Sequence, residues 1–512
     1  GGAVVYGSGT SGGVINIITK NGFSSDKKIA GTIGTEIGSY NSYTYKGNVI
    51  GQVTDNLQIG LDYLHGNSDN YREGSEYDKD NYGISLNYKI DNNQKINFKY
   101  TKYTNDYSSP AVLTQAQLDK DRDGASTSET DYQADKDSYS LVYDYNMKDN
   151  LKFNLLSSYY NSVSESSTST SITNFDESKI AFKPKLNYEY SKGTLTAGYD
   201  YTFNNIVRDT KLGNGAFYDI SKMTNSVFLN NRYDMNKLEL ITGYRYEKSD
   251  YEMKDQKYGT KTPSDMDKTS SNSAYSMGLN YLYSDSGKLY GKFESGYTFP
   301  DPRQYINLTN GEGELNNLQD EEFMTYEIGF QDYIINSLVK GAVYYTEKEN
   351  EIRKEGSSLN AKFYNIDASK RIGGELSISQ NIKKLELSES IAYIDAKVTE
   401  GTDEGKRIPY VSKITSSINA TYTFNEKVDL SANITYRDKY YVDARNLSGL
   451  VNDKFVTDIK VNYSIDSNWK TYAGINNLFN ADYYNTINYS SGAYTYDPAS
   501  ERNYFIGFNY SF

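Results

Sequence analysis

Apolar and polar residues alternate along most of the chain, and this pattern limits the fold more than any other feature. From Val428 to Arg437 every even position is apolar and every odd one polar, and apolar residues likewise occupy the even positions from Tyr504 to Phe512. Because strand side chains alternate between two faces, each segment is predicted to have one apolar and one hydrated face. The segments run about 10 residues or more, as a tilted membrane-crossing strand needs, whereas strands of soluble sheets usually have about 5–6.

The aromatic residues of the chain are mostly tyrosines. The 512 residues include 54 Tyr, 19 Phe and one Trp, and the mean hydropathy is −0.73. A tyrosine suits the boundary between lipid and water, and 14% aromatic residues are too many for a disordered chain. No run approaches the roughly 18 consecutive apolar residues of a membrane-spanning helix. The composition therefore favours a membrane β-barrel with a polar lumen.

The charge and the rare residue types exclude several classes of protein. A net charge of −13 gives no electrostatic footprint for nucleic acid. Without Cys the chain forms no disulfide or thiolate metal site. Because His65 is its single histidine, a Ser-His-Asp catalytic triad is also disfavoured. Only carboxylate and hydroxyl groups remain for catalysis, and no constellation of them stands out, so we do not expect an enzyme.

Short polar turns recur along the chain, and each interval between them holds two long strands and a longer loop. Longer polar segments such as Asp106–Asp135 and Ser162–Glu177 are predicted to be these loops. The short turns are predicted near Asp55, Asn92, Asp149, Lys192, Asn236, Ser286, Tyr333, Lys383, Glu426 and Asp466. Ten turns on one side, with both termini there, make eleven hairpins and an all-β, 22-stranded antiparallel transmembrane barrel. Such a barrel has a lumen wide enough to need a plug.

Three motifs, in their order and spacing, resemble those of one family. Gly12 to Lys20, GGVINIITK, looks like the end of a plug domain. Glu327-Ile328-Gly329 resembles an E-x-G barrel strand, and Gly474–Asn480, GINNLFN, is similar to a signature of the penultimate strand. With these motifs and a terminal Phe, the chain resembles the TonB-dependent outer-membrane receptors of the siderophore and vitamin type.

The resemblance divides the chain into two domains. It implies that residues 1–24 are the C-terminal end of a plug domain whose remainder is missing from this sequence, and that residues 25–512 are a transmembrane barrel with long extracellular loops. Val14–Thr19 is then expected to be the last plug strand, buried in the lumen. The junction of plug and barrel is predicted at Gly12, Gly13, Asn16, Asn21 and Gly22.

The resemblance also implies a function. Members of the family are multi-pass barrels of the bacterial outer membrane that import a scarce nutrient by energy-coupled rearrangement of the plug. We expect a ferric siderophore as the nutrient, with cobalamin or haem as alternatives for the same architecture. A passive porin or adhesin barrel is the alternative from a different class.

Several partners follow from the same resemblance. The TonB energy-coupling complex is expected to act through a TonB box in the missing part of the plug. The other expected partners are an iron chelate or similar small ligand, the lipid bilayer and the barrel-assembly machinery. Neither a nucleic-acid partner nor a required cofactor is expected. The signal for the assembly machinery is predicted in the last strand at Phe508, Tyr510 and Phe512.

Five arginines on or near the predicted outer loops are candidates for ligand binding. Ferric siderophores are often anionic, and Arg with Tyr can hold such ligands by charge-assisted hydrogen bonds and ring contacts. The alternative for each arginine is a solvated surface position or a salt bridge in the lumen. The candidates are Arg72, Arg122, Arg208, Arg303 and Arg445.

A candidate calcium site lies in the longest predicted extracellular loop. Asp119, Asp121 and Asp123, followed by Gly124, match the first half of an EF-hand loop, in which hard oxygen ligands alternate before a sharp turn. Thr130 stands where that loop has its bidentate Glu, and no flanking helices are evident. A structural calcium ion is therefore one interpretation, and a solvated acidic loop is the other.

His65 is predicted at the outer end of the third strand. Haem receptors of the family commonly use a pair of histidines, and this chain supplies one. Haem is thus disfavoured as the ligand, and a hydrated position on the rim of the barrel is the alternative for His65.

Overall fold

A computed structural model describes residues 2–17, 28–124, 128–212, 215–257, 265–305, 316–355 and 362–512 of the chain. These ranges form 25 strands, two α-helices and one 3-10 turn. Within them, no helix is both long and apolar enough to cross a membrane.

The helical elements are short and the strands are long. The helices are α1 (Gly2–Tyr6) and α2 (Gln115–Lys120), and the 3-10 turn is η1 (Pro302–Tyr305). The first twelve strands are β1 (Ile29–Gly38), β2 (Ser42–Thr54), β3 (Leu57–Ser68), β4 (Tyr77–Lys89), β5 (Gln94–Pro110), β6 (Leu113–Thr114), β7 (Glu129–Lys148), β8 (Leu151–Thr168), β9 (Ser171–Tyr190), β10 (Gly193–Thr210), β11 (Phe217–Met235) and β12 (Leu238–Lys257). The others are β13 (Met266–Leu282), β14 (Lys288–Thr298), β15 (Glu321–Ile334), β16 (Ser337–Glu355), β17 (Lys362–Ile382), β18 (Leu385–Glu400), β19 (Ile414–Asn425), β20 (Val428–Arg437), β21 (Lys454–Ser464), β22 (Trp469–Asn476), β23 (Tyr484–Ser490), β24 (Ala493–Pro498) and β25 (Asn503–Ser511).

Twenty-two of the strands form one closed antiparallel barrel. Consecutive barrel strands pair with each other, and β25 pairs with both β22 and β1, so the sheet has no free edge. The backbone of Phe512 adds to the closure, because its N–H and C=O both bond to Gly31 over 3.0 and 3.2 Å. Strands β6, β23 and β24 form a separate three-stranded sheet in the loops. The prediction of a 22-stranded antiparallel barrel is confirmed.

The short turns lie together at one end of the barrel, which we call the turn end; the opposite end is the loop end. Each of the ten predicted turns is present, although the one expected near Tyr333 lies two residues later, at Ile335 and Asn336. Both of these residues have positive φ angles, of 47° and 64°, as a two-residue hairpin turn requires.

The barrel wall rises higher on one side than on the other. Strands β7, β9 and β12 have 20 residues each, whereas β20 has 10 and β22 has 8. The segment Ser162–Glu177, predicted to be a loop, is therefore mostly strand, because β8 and β9 continue to a turn at residues 169–170. Its Ser- and Thr-rich composition indicated a loop, but the unbroken backbone pairing of the two strands extends the wall at the loop end.

The two faces of the wall differ as the alternation predicts. Ile33, Tyr45 and Tyr63 belong to the outer face and are 40–60% exposed. On the last strand, the predicted assembly residues Phe508, Tyr510 and Phe512 occupy alternate positions of the same outer face, where the rings of Tyr510 and Phe512 stack at 6.0 Å. Polar side chains alternate with them and line the lumen.

The N-terminal segment lies inside the lumen but does not form the expected strand. Helix α1 buries Ala3 and Val4 completely against Phe228, Ala274 and Tyr297 of the inner wall. Residues 14–17 have no regular secondary structure, and Ile15 and Ile17 are 90% and 82% exposed. The predicted strand Val14–Thr19 is thus wrong for residues 14–17, because a strand needs a paired neighbour and no described strand lies beside them.

The predicted junction is only partly described. Gly12, Gly13 and Asn16 follow α1 in an irregular, exposed stretch, in which the φ of Gly13 is 102°. Asn21 and Gly22, together with the predicted domain boundary at residues 24–25, lie outside the described residues.

Candidate functional site

A cavity of about 570 Å³ opens at the loop end between the inner wall and the loop sheet, and we call it the tyrosine cavity. Alternation along β5 turns Tyr103 and Tyr107 inward, opposite to Phe98 on the outer face. Tyr71 and Tyr77 supply two more rings. Burial raises the pKa of Tyr71 to about 12, so its hydroxyl stays protonated further into the alkaline range than that of an exposed tyrosine and can donate a hydrogen bond at neutral pH.

Arg72 lies at the edge of the tyrosine cavity and ties three loop-end segments together. Its side chain is 5% exposed. The guanidinium lies 3.3 Å from the carboxylate of Asp497 on β24 and donates to the carbonyls of Ala111, at 2.9 Å, and Gly124, at 3.5 Å. This candidate ligand-binding residue therefore has structural partners of its own.

Arg122 makes a similar connection nearby. It forms an ion pair with Asp482, donates to the carbonyl of Tyr483 at 2.6 Å, and lies over the ring of Tyr484 at 5.0 Å. These contacts join the segment that follows α2 to the loop between β22 and β25. Arg72 and Arg122 thus shape the tyrosine cavity by fixing the loops around it.

Arg208 and Arg303 meet at a second place, on the other side of the loop end. The guanidinium of Arg208 lies over the rings of Phe175 and Tyr218, at 5.5 and 5.9 Å. Arg303 of η1 pairs with Asp301 at 3.0 Å, and this contact and the nearby Tyr218 help to raise the pKa of its guanidinium. Both arginines are therefore cations placed beside aromatic rings.

Arg445 belongs to neither group. It is exposed in the loop between β20 and β21, and it forms no ion pair within the described ranges. The structure therefore brings the five candidate arginines together as two pairs and one separate residue.

Below the loop end, a buried set of charges lies against the N-terminal segment at Gly7, and we call it the inner charge network. Arg245, 3% exposed, donates to the carboxylates of Asp200 at 2.9 Å and Glu247 at 2.8 Å and to the hydroxyl of Ser226 at 2.5 Å. Gly7 packs directly on this network: a Cβ there would lie 2.5 Å from a Glu247 oxygen. We did not predict this network, because its polar residues alternate along their strands like those elsewhere in the lumen.

The N-terminal segment is also hydrogen-bonded to β14 and the loop that follows it. The backbone N–H of Ala3 donates to Glu294 at 2.7 Å, and that of Gly9 donates to the carbonyl of Tyr297 at 3.1 Å. The Ser8 hydroxyl accepts from the N–H of Phe299 at 2.8 Å. Because the same loop continues into η1 and Arg303, one stretch of chain contacts both the N-terminal segment and the second arginine pair.

The three candidate calcium ligands do not converge. Asp119 on α2 accepts from Gln115 at 2.7 Å, within its own helix. Asp121 and Asp123 contact each other, and this hydrogen bond, together with burial, raises the pKa of Asp123. Within the described part of the chain, the only three-residue group with metal-ligand geometry is His65, Asp78 and Asp80. Calcium at Asp119, Asp121 and Asp123 stays a prediction.

His65 faces outward. It pairs across the sheet with Tyr45, and its ring stacks on that tyrosine at 6.3 Å on the outer face. The next strand places Asp80 beside it, with 3.1 Å between His65 Nδ1 and the Asp80 carboxylate. A histidine on the outer wall cannot bind a haem in the lumen, so this position argues further against haem.

The penultimate-strand motif has a structural role. The side chain of Asn477 accepts from the N–H of Ala481 at 2.7 Å and donates to its carbonyl at 2.9 Å, while its own N–H donates to Asp458 at 2.8 Å. Its φ of 51° is one that Asn adopts more readily than most residues. The motif therefore ends β22 and fixes the following loop.

Comparisons with known proteins agree with this architecture. The family described as TonB dependent receptor-like, beta-barrel, matches residues 20–478. A curated relative, the catecholate siderophore receptor Fiu of Escherichia coli K12, is 22% identical over 249 residues. The match covers 46% of this chain and 32% of Fiu, so the aligned part of the chain spans about a third of the length of the curated relatives it matches.

Solved structures of receptors share the fold over the whole chain. The closed form of Fiu superposes with a TM-score of 0.84 at 15% identity and covers 100% of this chain and 85% of its own. The yersiniabactin receptor FyuA of Yersinia pestis has a TM-score of 0.85 at 14% identity, with coverages of 100% and 84%. The ferric citrate transporter FecA gives 0.83 at 16% identity, with 100% and 82%. The chain belongs to the TonB-dependent receptors, a family of receptors and not of enzymes, and its barrel lies in the bacterial outer membrane.

Proposed function

We propose that the protein imports a ferric siderophore across the outer membrane by energy-coupled rearrangement of a plug in its lumen. The observation that carries this proposal is the match to Fiu, a catecholate siderophore receptor, in both sequence and fold. Two further neighbours in fold are described as the ferric citrate transporter FecA and the ferric yersiniabactin uptake receptor FyuA.

The tyrosine cavity supports the proposed ligand class. Its volume of about 570 Å³ is within the range of sites for small molecules. The rings of Tyr71, Tyr77, Tyr103 and Tyr107 offer stacking surfaces to an aromatic iron chelate, and Lys79 on its wall offers a positive charge to an anionic one.

The contacts of the N-terminal segment support the coupling. The chain from Tyr297 to Arg303 bonds to Ser8 and Gly9 at one end and lies beside Tyr218 at the other. If ligand binding displaced Arg303, this short stretch would transmit the displacement to the N-terminal segment in the lumen. The TonB complex, acting through a TonB box, is the proposed source of energy.

The alternatives receive less support. A passive porin needs an open lumen, whereas α1 is buried against the inner wall and Gly7, directly after it, packs against the inner charge network. Haem is disfavoured by the outward position of His65. Cobalamin stays as the alternative nutrient, since nothing in the tyrosine cavity excludes it.

Uptake of radioactive iron by cells tests the proposal. Cells that lack the full-length protein should lose uptake of a ferric catecholate, and the wild-type gene should restore it, but the double variant Tyr103→Ala, Tyr107→Ala should not. Tyr139→Ala on the outer face, where the ring is 39% exposed, is the matched control and should restore uptake. Normal iron uptake with loss of cobalamin uptake in the deleted cells would overturn the proposal.

A further inference from the structure

Three potential metal ligands lie on the outer wall near the loop end, away from the lumen. His65 is on β3, and Asp78 and Asp80 are two residues apart on β4, so that all three side chains share one face of the sheet. Tyr45 and Tyr63, on the same face, surround His65. Tyrosines of this kind mark the level of lipid headgroups, so the three ligands lie at the edge of the membrane.

The distances among the three side chains suit a metal ion. His65 Nδ1 lies 3.1 Å from an oxygen of Asp80 and 3.9 Å from an oxygen of Asp78, and the three ligand atoms are all within 4.8 Å of one another. Around Zn²⁺, with bonds of about 2.0–2.2 Å to nitrogen and oxygen, tetrahedral ligands lie roughly 3.3 Å apart. Small side-chain rotations would therefore bring the three atoms into coordination.

Neighbouring side chains fix the orientation of the ligands. The Tyr63 hydroxyl donates to Asp80 at 2.9 Å, and the Asn67 amide donates to Asp78 at 3.2 Å. The ring of Tyr45 stacks on the imidazole with an angle of 13° between the planes. Such outer contacts are typical of metal sites, where they orient the coordinating groups.

The charges around these residues leave a place for a cation. Asp78 and Asp80 carry two negative charges close together, and no Lys or Arg pairs with either of them within the described ranges. Asp135, farther along the same outer wall, has instead a lysine partner, with 3.0 Å between its carboxylate and Lys102. A divalent cation with a neutral imidazole would balance the two carboxylates of the first group.

We propose that His65, Asp78 and Asp80 bind one divalent transition-metal ion on the outer wall of the barrel. One imidazole and two carboxylates form a ligand set that suits Zn²⁺, Mn²⁺ and Fe²⁺ better than the all-oxygen sets of Ca²⁺ and Mg²⁺. Three protein ligands leave coordination positions open towards the lipid headgroups. The ion joins β3 to β4 at the rim, and this role is independent of the ligand that the lumen transports.

Zinc binding to the purified protein in detergent tests the site. The protein is prepared without a histidine tag, stripped with a chelator and titrated with ZnCl₂ by calorimetry. We expect one Zn²⁺ per chain, and binding weakened by more than about tenfold in His65→Ala and in Asp80→Asn. Because His65 is the only histidine of the chain, dependence on it identifies the site.

Two further variants sharpen the result. Asp135→Asn removes a carboxylate of the same outer wall and should bind zinc like the wild type, and Tyr63→Phe should weaken binding less than Asp80→Asn does. X-ray absorption of the zinc-loaded protein should show one nitrogen and two carboxylate ligands. Far-ultraviolet circular dichroism confirms that each variant is a folded barrel. Absence of stoichiometric zinc binding, or equal binding by folded His65→Ala, would overturn the proposal.

Discussion

The lumen holds part of its own chain at one level and opens to solvent at another, and the two levels differ in chemistry. Around α1, charged groups are buried and paired, with Arg245 between Asp200 and Glu247. At the loop end, the tyrosine cavity is lined mostly by tyrosine rings and neutral polar groups, and its charged lining residues are Arg72, Lys79 and Asp497. Arg72 and the nearby Arg122 bond mainly to other loops.

This difference indicates which part stays fixed and which part exchanges partners. A buried ion pair loses several kcal/mol when one partner is removed, because the remaining charge stays desolvated. A tyrosine hydroxyl or ring near solvent exchanges water for a ligand at little cost. The inner charge network is thus suited to hold the N-terminal segment, and the tyrosine cavity to take up and release a small molecule.

Removal of Arg245 should give the largest effect on stability. Arg245→Ala leaves Asp200 and Glu247 buried without their cation, and we expect the free energy of unfolding to fall by about 3–5 kcal/mol. Urea unfolding of the refolded barrel in detergent measures this change. Arg303→Ala, which breaks a pair whose side chains are 55% and 42% exposed, is the control and should cost less than about 1 kcal/mol. Equal losses of unfolding free energy in the two variants would contradict the claim that the inner charges are more strongly stabilised than those at the loop end.

A methyl group at Gly7 should loosen the N-terminal segment without harming the barrel. In Gly7→Ala the new Cβ meets Glu247 and Arg245 at 2.5 and 2.9 Å, and the φ of 79° is strained for alanine. We expect the opening free energy of residues 2–9 to fall by about 2–4 kcal/mol, as measured by hydrogen exchange. Gly12→Ala, where a Cβ meets nothing within 4 Å, should leave exchange unchanged. Unchanged protection in Gly7→Ala would show that the network does not hold this segment.

Loss of Arg72 should loosen the loops around the tyrosine cavity by a smaller amount. Arg72→Ala removes bonds to Asp497 and to the carbonyls of Ala111 and Gly124, which together contribute about 1–3 kcal/mol. We expect faster limited proteolysis within residues 69–76 and 111–124, with normal unfolding of the barrel. Arg445→Ala, at an exposed loop position, is the matched control. Proteolysis of Arg72→Ala at the wild-type rate would show that the bonds of Arg72 do not hold these loops together.

The smallest effect concerns the pH dependence of the loop between β20 and β21. Although burial opposes it, hydrogen bonds from the N–H groups of Leu447 and Ser448 hold the pKa of Asp443 below its ordinary value. A depressed pKa stabilises the loop above the ordinary carboxyl pKa, and this stabilisation is lost as the pH falls through the depressed value. Hydrogen exchange of residues 443–449 should therefore accelerate, beyond the intrinsic effect of pH, on acidification. Asp443→Asn should remove most of this dependence, and a dependence retained in that variant would refute the assignment.

The barrel was predictable from the sequence because its pattern is local. Alternation from Tyr504 to Phe512 and turns such as those near Asp55 and Lys383 fix which residues face lipid and where each hairpin reverses. Neither feature depends on distant parts of the chain. Strand ends at the loop end were less predictable, since Ser and Thr between residues 162 and 177 suit both a loop and a solvated strand.

Side-chain partnerships were mostly not predictable. The hydrogen bond from Arg72 to Asp497 joins residues that are 425 positions apart in the sequence, and the hydrogen bond from Ala3 to Glu294 joins residues that are 291 positions apart. Nothing local in the sequence marks such pairs, so Arg72 resembled a free ligand-binding residue. The strand prediction was wrong over residues 14–17 for a related reason: its β-branched residues suit a strand, but pairing depends on a neighbour elsewhere in the fold.

Equilibrium binding of a ferric catecholate to the purified protein tests the central contrast most directly. Binding is measured for the wild type, for the double variant Tyr103→Ala, Tyr107→Ala, and for Gly7→Ala. We predict that the double variant loses affinity by about tenfold or more, at roughly 1–3 kcal/mol for the lost ring contacts, and that Gly7→Ala binds within about threefold of the wild type. Undiminished binding by the tyrosine variant would show that the ligand does not bind in the tyrosine cavity, and a greater loss in Gly7→Ala would place the ligand at the inner level. Either result would contradict the account.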